Sequence, residues 1–103
     1  MTDKELLELA ARAAGIGCYD PDHIGVYGIW VEDAGDEYYW NPLTDDGDAL
    51  RLAVKLLITV TFGANYVIVG GNQMPLVNNA NDPYAATRRA IVRAAAEIGK
   101  GMV

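Results

Sequence analysis

Three stretches of this chain repeat their apolar residues at helical spacing, and each follows a residue type that caps helix starts. Thr2 and Glu5 match a capping box, in which hydroxyl and carboxylate satisfy each other's backbone donors. Asp45 and Asp46 precede the second stretch. Asp82-Pro83 precedes the third, with proline at a position where its missing donor is not needed. The sequence therefore predicts three helices separated by non-helical segments.

The spacing predicts a first helix over Asp3–Ala14, stopped by Gly15 in the left-handed conformation. A second helix begins near Asp46. Its apolar residues cover more than half of the helical wheel and leave a narrow polar stripe, so we expect it to be the most buried helix. That stripe contains Asp48, Arg51 and Lys55. The third helix runs to about Ile98. The residues of its expected inward arc are Tyr84, Thr87, Ile91, Ala94, Ala95 and Ile98.

Two β-hairpins are predicted between the helices. Ile24–Val31 and Glu37–Trp40 are rich in β-branched and aromatic residues and flank a short polar turn. Leu57–Phe62 alternates apolar residues with threonine, and a turn leads from it into Tyr66–Val69. Residues 70–81 mix Gly, Pro and Asn without periodicity, which predicts an irregular exposed loop.

The order helix, hairpin, helix, hairpin, helix favours an α+β fold over a parallel α/β sheet. We expect a single domain over residues 1–103, with a largely antiparallel sheet of about four strands packed in layers with three helices. A hydrophobic content of 51% with 21% charged residues excludes a disordered chain.

Two short motifs give the chain a family resemblance. Residues 40–45 read WNPLTD and are followed by Ala49 and Ala53-Val54, which resembles the W-N-P-x-T/S-D … A-x-x-x-A-V/W stretch of the phage ABA sandwich domain family. Residues 90–95 read AIVRAA and resemble that family's terminal A-I-C-R-A-A block, with Val92 where cysteine is frequent. The resemblance implies a three-layer sandwich encoded by a phage or prophage. It implies no chemistry, because the family has no assigned function and supplies no catalytic residues.

Charge is unevenly distributed along the chain. The formal net charge is -6, yet residues 13–50 hold nine acidic residues and neither Lys nor Arg. An acidic protein lacks the basic face on which non-specific nucleic-acid affinity depends, so we expect no direct nucleic-acid binding.

The sequence also predicts the cellular compartment of the protein. The span Leu56–Asn81 carries no charged side chain, but its polar residues, glycines and proline exclude a membrane helix. The single cysteine, Cys18, cannot form an internal disulfide, and the opening Met-Thr-Asp-Lys-Glu does not resemble a secretory signal. These features predict a protein of the cytoplasm.

Catalytic signatures are lacking in the sequence. Serine is absent, and no phosphate-binding glycine loop, nucleophile elbow or paired metal-ligand motif occurs. Cys18 and His23, near Asp20 and Asp22, could be interpreted as a nucleophile pair or a metal cluster, but a solvated turn explains them better. We therefore expect no enzymatic activity, no cofactor and no metal.

Aromatic side chains gather on the first hairpin. Strand alternation sends Tyr38 and Trp40 to one face and Tyr39 to the other. Trp40-Asn41-Pro42 is expected to form the corner into the second helix, with Trp40 anchored in the core and the Asn41 side chain bonded to local backbone. A three-layer sandwich would cover both faces, whereas a partly exposed aromatic patch would be a binding surface. Arg89 and Arg93 are expected on the solvated face of the last helix, where the acidic segment of a second copy could attract them. The candidate interaction surface therefore comprises Tyr27, Tyr38, Tyr39, Asp33, Asp36, Glu37, Arg89 and Arg93.

These features favour a phage accessory protein that acts by contacting a host or phage protein, either alone or as a homodimer. A narrower hypothesis makes it an acidic inhibitor whose carboxylates imitate nucleic-acid charge. The alternative is a domain that binds a nucleotide or metabolite between the aromatic hairpin and the 70–81 loop.

Overall fold

The structure, a computed structural model, describes residues 2–16, 19–25, 28–33, 35–75 and 82–102, without the side chains of residues 19–25, 33, 36, 72 and 74. It confirms the α+β class, with three helices and two antiparallel sheets. The helices are α1 (Asp3–Ala14), α2 (Asp46–Leu56) and α3 (Pro83–Lys100). The strands are β1 (Tyr19–Gly25), β2 (Gly28–Asp33), β3 (Asp36–Trp40), β4 (Val60–Phe62), β5 (Tyr66–Val69) and β6 (Asn72–Pro75).

The strands form two separate sheets in the orders β1-β2-β3 and β4-β5-β6, rather than one sheet of about four strands. The predicted strand Ile24–Val31 is divided, because Ile24 pairs with Ile29 and Gly25 with Gly28 across two different strands. The predicted turn around Pro21 lies inside β1, an edge strand, where proline's missing donor does not interrupt a ladder.

The predicted loop of residues 70–81 is also partly wrong. Its first residues make a tight hairpin in which Gly70 and Gly71 both have positive φ and β6 pairs with β5. Two central residues with positive φ are what a short hairpin turn requires, so the Gly-Gly pair is a turn signal. The remainder, residues 76–81, lies outside the described part of the chain.

The predicted helix starts are confirmed. The Thr2 hydroxyl accepts from the Glu5 backbone at 3.2 Å, Asp45 caps α2, and Asp82 accepts from the Ala85 backbone at 3.1 Å. Gly15 ends α1 in the left-handed conformation, as expected. The third helix extends to Lys100, slightly beyond its predicted end.

Helix α3 packs against α1, α2 and the β4-β5-β6 sheet, which makes it the centre of the core. Its buried residues are Ala86, Ala90, Ile91, Val92, Ala95, Ala96 and Gly99. The predicted inward arc is therefore wrong at Tyr84 and Ile98, which are both exposed. Small residues bury better here because the backbones approach closely: a Cβ atom on Gly99 would overlap the carbonyl group of Leu9 in α1.

The β1-β2-β3 sheet presents one face to the core. Ile29, Val31 and Trp40 are buried on that face, whereas Tyr39 on the other face is half-exposed. The interpretation in which both faces of this hairpin are covered is thus wrong at Tyr39. In the described part of the chain no helix is long and apolar enough to cross a membrane.

Candidate functional site

A groove of about 600 Å³ lies between α2, β4 and α3. Its floor is formed by small or buried apolar residues such as Ala49, Ala53 and Ile91. Its walls carry Leu50, Phe62, Tyr84 and the side chain of Arg88, among others. The groove is therefore apolar, with charged groups at one end only.

Large apolar side chains project into solvent from the walls of this groove and from the rest of α2. Leu50 and Val54 are each 64% exposed, Phe62 is 61% exposed and Tyr84 is 69% exposed. Leu57, at the C-cap of α2, is 88% exposed. We call these five residues the apolar surface. Such a concentration of exposed apolar groups distinguishes this region, because scattered single residues are the norm on monomers.

The sequence of α2 explains why Leu50 and Val54 belong to this surface. Apolar residues surround most of the helix, but only Ala49, Leu52 and Ala53 are buried against the rest of the protein. Leu50 and Val54 are four residues apart and share an adjoining, exposed face. The expectation that α2 is the most buried helix is therefore wrong, since the fold covers one side of it and leaves the other side bare.

Phe62 and Tyr84 become exposed for different reasons. Phe62 pairs with Val67 across the β4-β5 ladder, so both side chains lie on the same face of that sheet. Val67 is fully buried on β5, which packs against α3, whereas Phe62 at the end of β4 is 61% exposed. Tyr84 is the second residue of α3, two positions after the capping Asp82, and precedes Ala86, the first buried residue of that helix.

Arg88 and Asp46 form the charged end of the groove. The Nε of Arg88 donates to the carbonyl oxygen of Leu43 at 2.8 Å, and its Nη1 contacts Asp46 Oδ1 at 2.6 Å. The Arg88 side chain is only 16% exposed although it is charged. Helix α3 is thereby tied to the corner that leads into α2, and the two walls of the groove are held together.

That corner matches its sequence prediction. Trp40 is a buried anchor, and the Asn41 side chain accepts from the Leu43 backbone at 3.1 Å. The carbonyl of Asn41 accepts from the backbones of Thr44 and Asp45 at 3.2 and 2.9 Å. The turn is therefore closed by local hydrogen bonds of the kind that asparagine favours.

Asp48 occupies a position that the predicted polar stripe did not anticipate. It is buried, and its Oδ2 accepts from the Asn41 backbone at 3.0 Å. Its Oδ1 accepts from the Arg51 guanidinium at 2.7 Å. This hydrogen bond to Asp48 raises the pKa of Arg51. Asp48 thus joins the β3-α2 corner to the first turns of the helix.

A second cleft of about 570 Å³ lies beside this corner, between β3, α2 and the end of α1. Tyr38, Tyr39 and Trp40 line one side of it, and Arg51 and Lys55 line another. Asp45 and Asp48 also contribute, so the acidic and basic groups of the lining balance. The chemistry available is stacking on tyrosine with hydrogen bonding from both charge types.

The residues of the predicted interaction surface are only partly placed. Glu37, Tyr38 and Tyr39 are exposed along β3, and the Tyr39 ring meets Trp30 edge-on at a centroid distance of 4.9 Å. Asp33 and Asp36 pair across the β2-β3 hairpin, but their side chains are not described. Tyr27 lies outside the described residues.

The two arginines of that surface differ from each other. Arg89 pairs with Asp3 of α1 at 3.0 Å, so its charge is engaged within the chain. Arg93 is exposed on α3. Because Arg89 ties α3 to α1, it serves the helix pair and is not a free anchor for a second copy.

The expectation that Cys18 and His23 form neither a nucleophile pair nor a metal cluster stays a prediction, because Cys18 and the His23 side chain are outside the description. Among the side chains that are described, no group of three His, Cys, Asp or Glu is placed to hold a metal ion.

Sequence reasoning missed the apolar surface. Its signal was present in α2, where Leu50, Val54 and Leu57 follow at spacings of four and three residues. That spacing matches one face of an amphipathic helix, but it does not say whether the face meets the core or solvent.

Comparisons of the chain with protein-family models, with curated proteins and with solved structures gave no match. Function is therefore inferred from the groove, the apolar surface and the cleft.

Proposed function

We propose that this chain is a non-enzymatic protein-binding domain that docks on its partner through the apolar surface. The observation that carries the proposal is the exposure of five large apolar side chains, each between 61% and 88%, of which Leu50, Phe62 and Tyr84 line one groove and Val54 and Leu57 lie on or at the end of α2. At roughly 150–200 Å² per fully exposed side chain of this size, the surface presents about 600 Å². This area is at the upper end of the largest apolar patches on typical monomers, which are about 300–600 Å² and are often functional.

The magnitude is sufficient for reversible binding. Burying about 600 Å² of apolar area contributes about 15 kcal/mol at 25 cal/mol per Å². Association costs about 4–15 kcal/mol through lost rigid-body freedom, with side-chain ordering in addition. The remaining free energy of binding corresponds to a reversible complex with a dissociation constant in the micromolar range, rather than to a permanent complex.

We also propose that the chain is encoded by a phage or prophage. The WNPLTD segment that resembles the phage family forms the closed corner at Trp40-Asn41, and the helices and strands alternate in the order expected of a layered sandwich. Both features support a phage-encoded accessory protein whose partner is a host or phage protein. The three-layer arrangement itself belongs to this proposal.

The structure favours the acidic-inhibitor version less. Asp46 and Asp48 are paired with Arg88 and Arg51, which partly neutralises the acidic segment. Clustering of the remaining carboxylates stays a prediction, since the side chains of Asp20, Asp22, Asp33 and Asp36 lie outside the description.

A capture experiment tests the protein-binding proposal. Immobilised wild type is compared, in a bacterial lysate that also contains a differently tagged copy of the chain, with the double variant Leu50→Lys/Phe62→Lys and with Met102→Lys. Met102 is 51% exposed and lies after the far end of α3, so it controls for added charge on an exposed apolar residue. We expect wild type and the control to enrich the same protein and the double variant to lose it. Equal enrichment by all three baits would contradict the proposal.

A second function is supported by the cleft beside β3. Its volume of about 570 Å³ is in the range of small-molecule sites, and two tyrosines line it. The balanced charges of its lining favour a polar aromatic ligand such as a nucleoside. The described residues of the 70–81 loop do not line the cleft, so the predicted pairing of hairpin and loop is not formed by them.

Thermal shift measurements with a panel of nucleosides and nucleotides test this alternative. A ligand at 100 times its Kd stabilises the fold by about 2.7 kcal/mol. That free energy corresponds to a Tm increase on the order of 10 °C for a domain of this size. Tyr38→Ala should remove the shift and Met102→Lys should keep it. Absence of any shift at millimolar ligand would contradict the alternative.

A further inference from the structure

We propose that the occupant of the apolar surface is a second copy of this chain, with the α2 helices of the two copies packed antiparallel about a two-fold axis. The inference rests on the proposed protein-binding function and names its partner. A two-fold axis makes the contact self-complementary, so a single surface per chain suffices.

The shape of α2 fits such a contact. Leu50 and Val54 project from the same exposed face of the helix, and Leu57 continues the row at its end. Spacings of four and three residues are those of an apolar seam between two paired helices. Val54 is the middle residue of the row, so an antiparallel pairing centred on the row places Val54 next to its own counterpart.

Charge favours the antiparallel arrangement. The first turn of α2 contains Asp46, whose side chain is 68% exposed, and its last turn contains the exposed Lys55. In an antiparallel pair the acidic start of each helix lies beside the basic end of its partner. The two helix dipoles are then antiparallel, which is also favourable. Among the described residues, Lys55 forms no ion pair within the chain. The net charge of -6 on each copy is screened beyond about 8 Å at physiological ionic strength, which leaves the local pairs to decide.

The area fits as well. A standard stable interface buries about 800 Å² on each partner. The apolar surface supplies about 600 Å² of this. The partly exposed groove wall, including Val60 and Thr87, lies beside it. A weak to moderate dimer is therefore the expected result.

The proposed contact would also bury Leu57, which ends α2 in the left-handed conformation with its cap hydrogen bonds on the carbonyls of Ala53 and Val54. It has a φ of 56° and is the one residue other than glycine with positive φ among the described residues. A leucine in this conformation costs about 1–2 kcal/mol relative to the right-handed region, and here it gains little burial within the chain. A side chain that is both strained and exposed in one copy has a reason to exist if the other copy buries it.

Sedimentation velocity over protein concentrations from about 1 to 500 μM tests the inference. We expect reversible dimers for wild type and for Met102→Lys. Leu50→Lys and Val54→Lys should each raise the dimer dissociation constant more than about tenfold, because each places a charge at the centre of the contact. Both residues are mostly exposed, and circular dichroism with thermal unfolding establishes that the variants remain folded.

Cross-linking tests the geometry. In a Cys18→Ala background, Val54→Cys should form an intermolecular disulfide under mild oxidation, whereas Glu97→Cys on the exposed side of α3 should not. Efficient cross-linking at Glu97→Cys with none at Val54→Cys would overturn the proposed packing.

The possible results distinguish a failure of the proposed dimer from a failure of the proposed protein-binding function. A monomeric wild type at every concentration overturns the second copy as partner. The protein-binding function survives that result if Leu50→Lys/Phe62→Lys still loses a captured protein. Dimers that persist unchanged in Leu50→Lys and Val54→Lys overturn the inference, since the interface then lies elsewhere. A monomer whose captured proteins are unaffected by the double variant overturns both.

Discussion

The backbone N–H of Asn41 donates a 3.0 Å hydrogen bond to Oδ2 of Asp48, and both residues are buried. The bond connects the corner after β3 to the third residue of α2. It also means that the carboxylate satisfies a backbone donor which water cannot reach. Removing that acceptor leaves an unpaired buried group, which costs more than the hydrogen bond itself contributes.

Asp48→Ala should therefore lower the free energy of unfolding by about 2–3 kcal/mol. Asp48→Asn keeps an acceptor for Asn41 but loses both the charge and the acceptor for Arg51, whose side chain is 72% exposed, so it should cost about 1 kcal/mol. Urea unfolding followed by circular dichroism measures both changes. Glu37→Ala, at an exposed position, is the control and should change stability by less than about 0.5 kcal/mol. Equal stability of Asp48→Ala and Glu37→Ala would contradict the structural role of Asp48.

The contact between α1 and α3 predicts an unusual glycine effect. Gly→Ala inside a helix ordinarily stabilises by about 1 kcal/mol. At Gly99 the added methyl group would meet the backbone of Leu9, which cannot move aside as a flexible side chain can. Gly99→Ala should therefore destabilise the protein by about 1–3 kcal/mol.

Gly101→Ala is the matched control for this variant. The nearest atom to a Cβ at Gly101 lies 3.6 Å away, and its φ is negative, so the change should be neutral or slightly stabilising. Thermal unfolding of both variants distinguishes the two cases. A Gly99→Ala protein as stable as wild type would show that the helices are not in close contact at this point.

The helix starts were predictable because each is specified locally. Thr2, Asp45 and Asp82 are residue types whose side chains accept from backbone groups three positions later, and this chemistry needs no knowledge of the rest of the fold. The Trp40-Asn41 corner was predictable for the same reason. Its hydrogen bonds close within a few residues.

The missed strands lack such local signals. Proline and acidic residues in β1, and asparagine with proline in β6, are disfavoured in strand interiors, and both strands form through pairing with better neighbours at sheet edges. The faces of α2 and α3 were assigned incorrectly for a related reason. Periodicity locates an apolar face, but tertiary contacts decide which part of a wide face is covered.

Arg88 should be the most important basic residue for stability. It reaches the Leu43 carbonyl with Nε and Asp46 with Nη1, a pair of contacts that the single ammonium of lysine cannot make together. We expect Arg88→Lys to lower the free energy of unfolding by about 1–2 kcal/mol. Arg93→Lys, on the exposed face of the same helix, should change it by less than about 0.5 kcal/mol. Urea unfolding of the two variants compares them, and similar midpoints would show that Arg88 does not hold the groove walls together.

Leu57 should be replaceable by glycine with a gain in stability. Because its φ of 56° is natural for glycine and strained for leucine, Leu57→Gly relieves about 1–2 kcal/mol of backbone strain. Part of this gain is lost through the greater freedom of glycine in the unfolded chain. The side chain is 88% exposed, so little packing is lost, and we expect a net stabilisation of about 0.5–1 kcal/mol in urea unfolding at protein concentrations where the chain is monomeric.

Gly15→Ala is the converse control for Leu57→Gly, because it puts a Cβ on the corresponding left-handed residue at the end of α1, where space is open. It should destabilise by about 1 kcal/mol for purely conformational reasons. The informative result is the combination at Leu57: higher monomer stability together with weaker self-association in sedimentation velocity. That pair of changes would show that leucine contributes between copies and not within one. A Leu57→Gly monomer less stable than wild type would instead show that the side chain packs inside the chain, and it would remove Leu57 from the apolar surface.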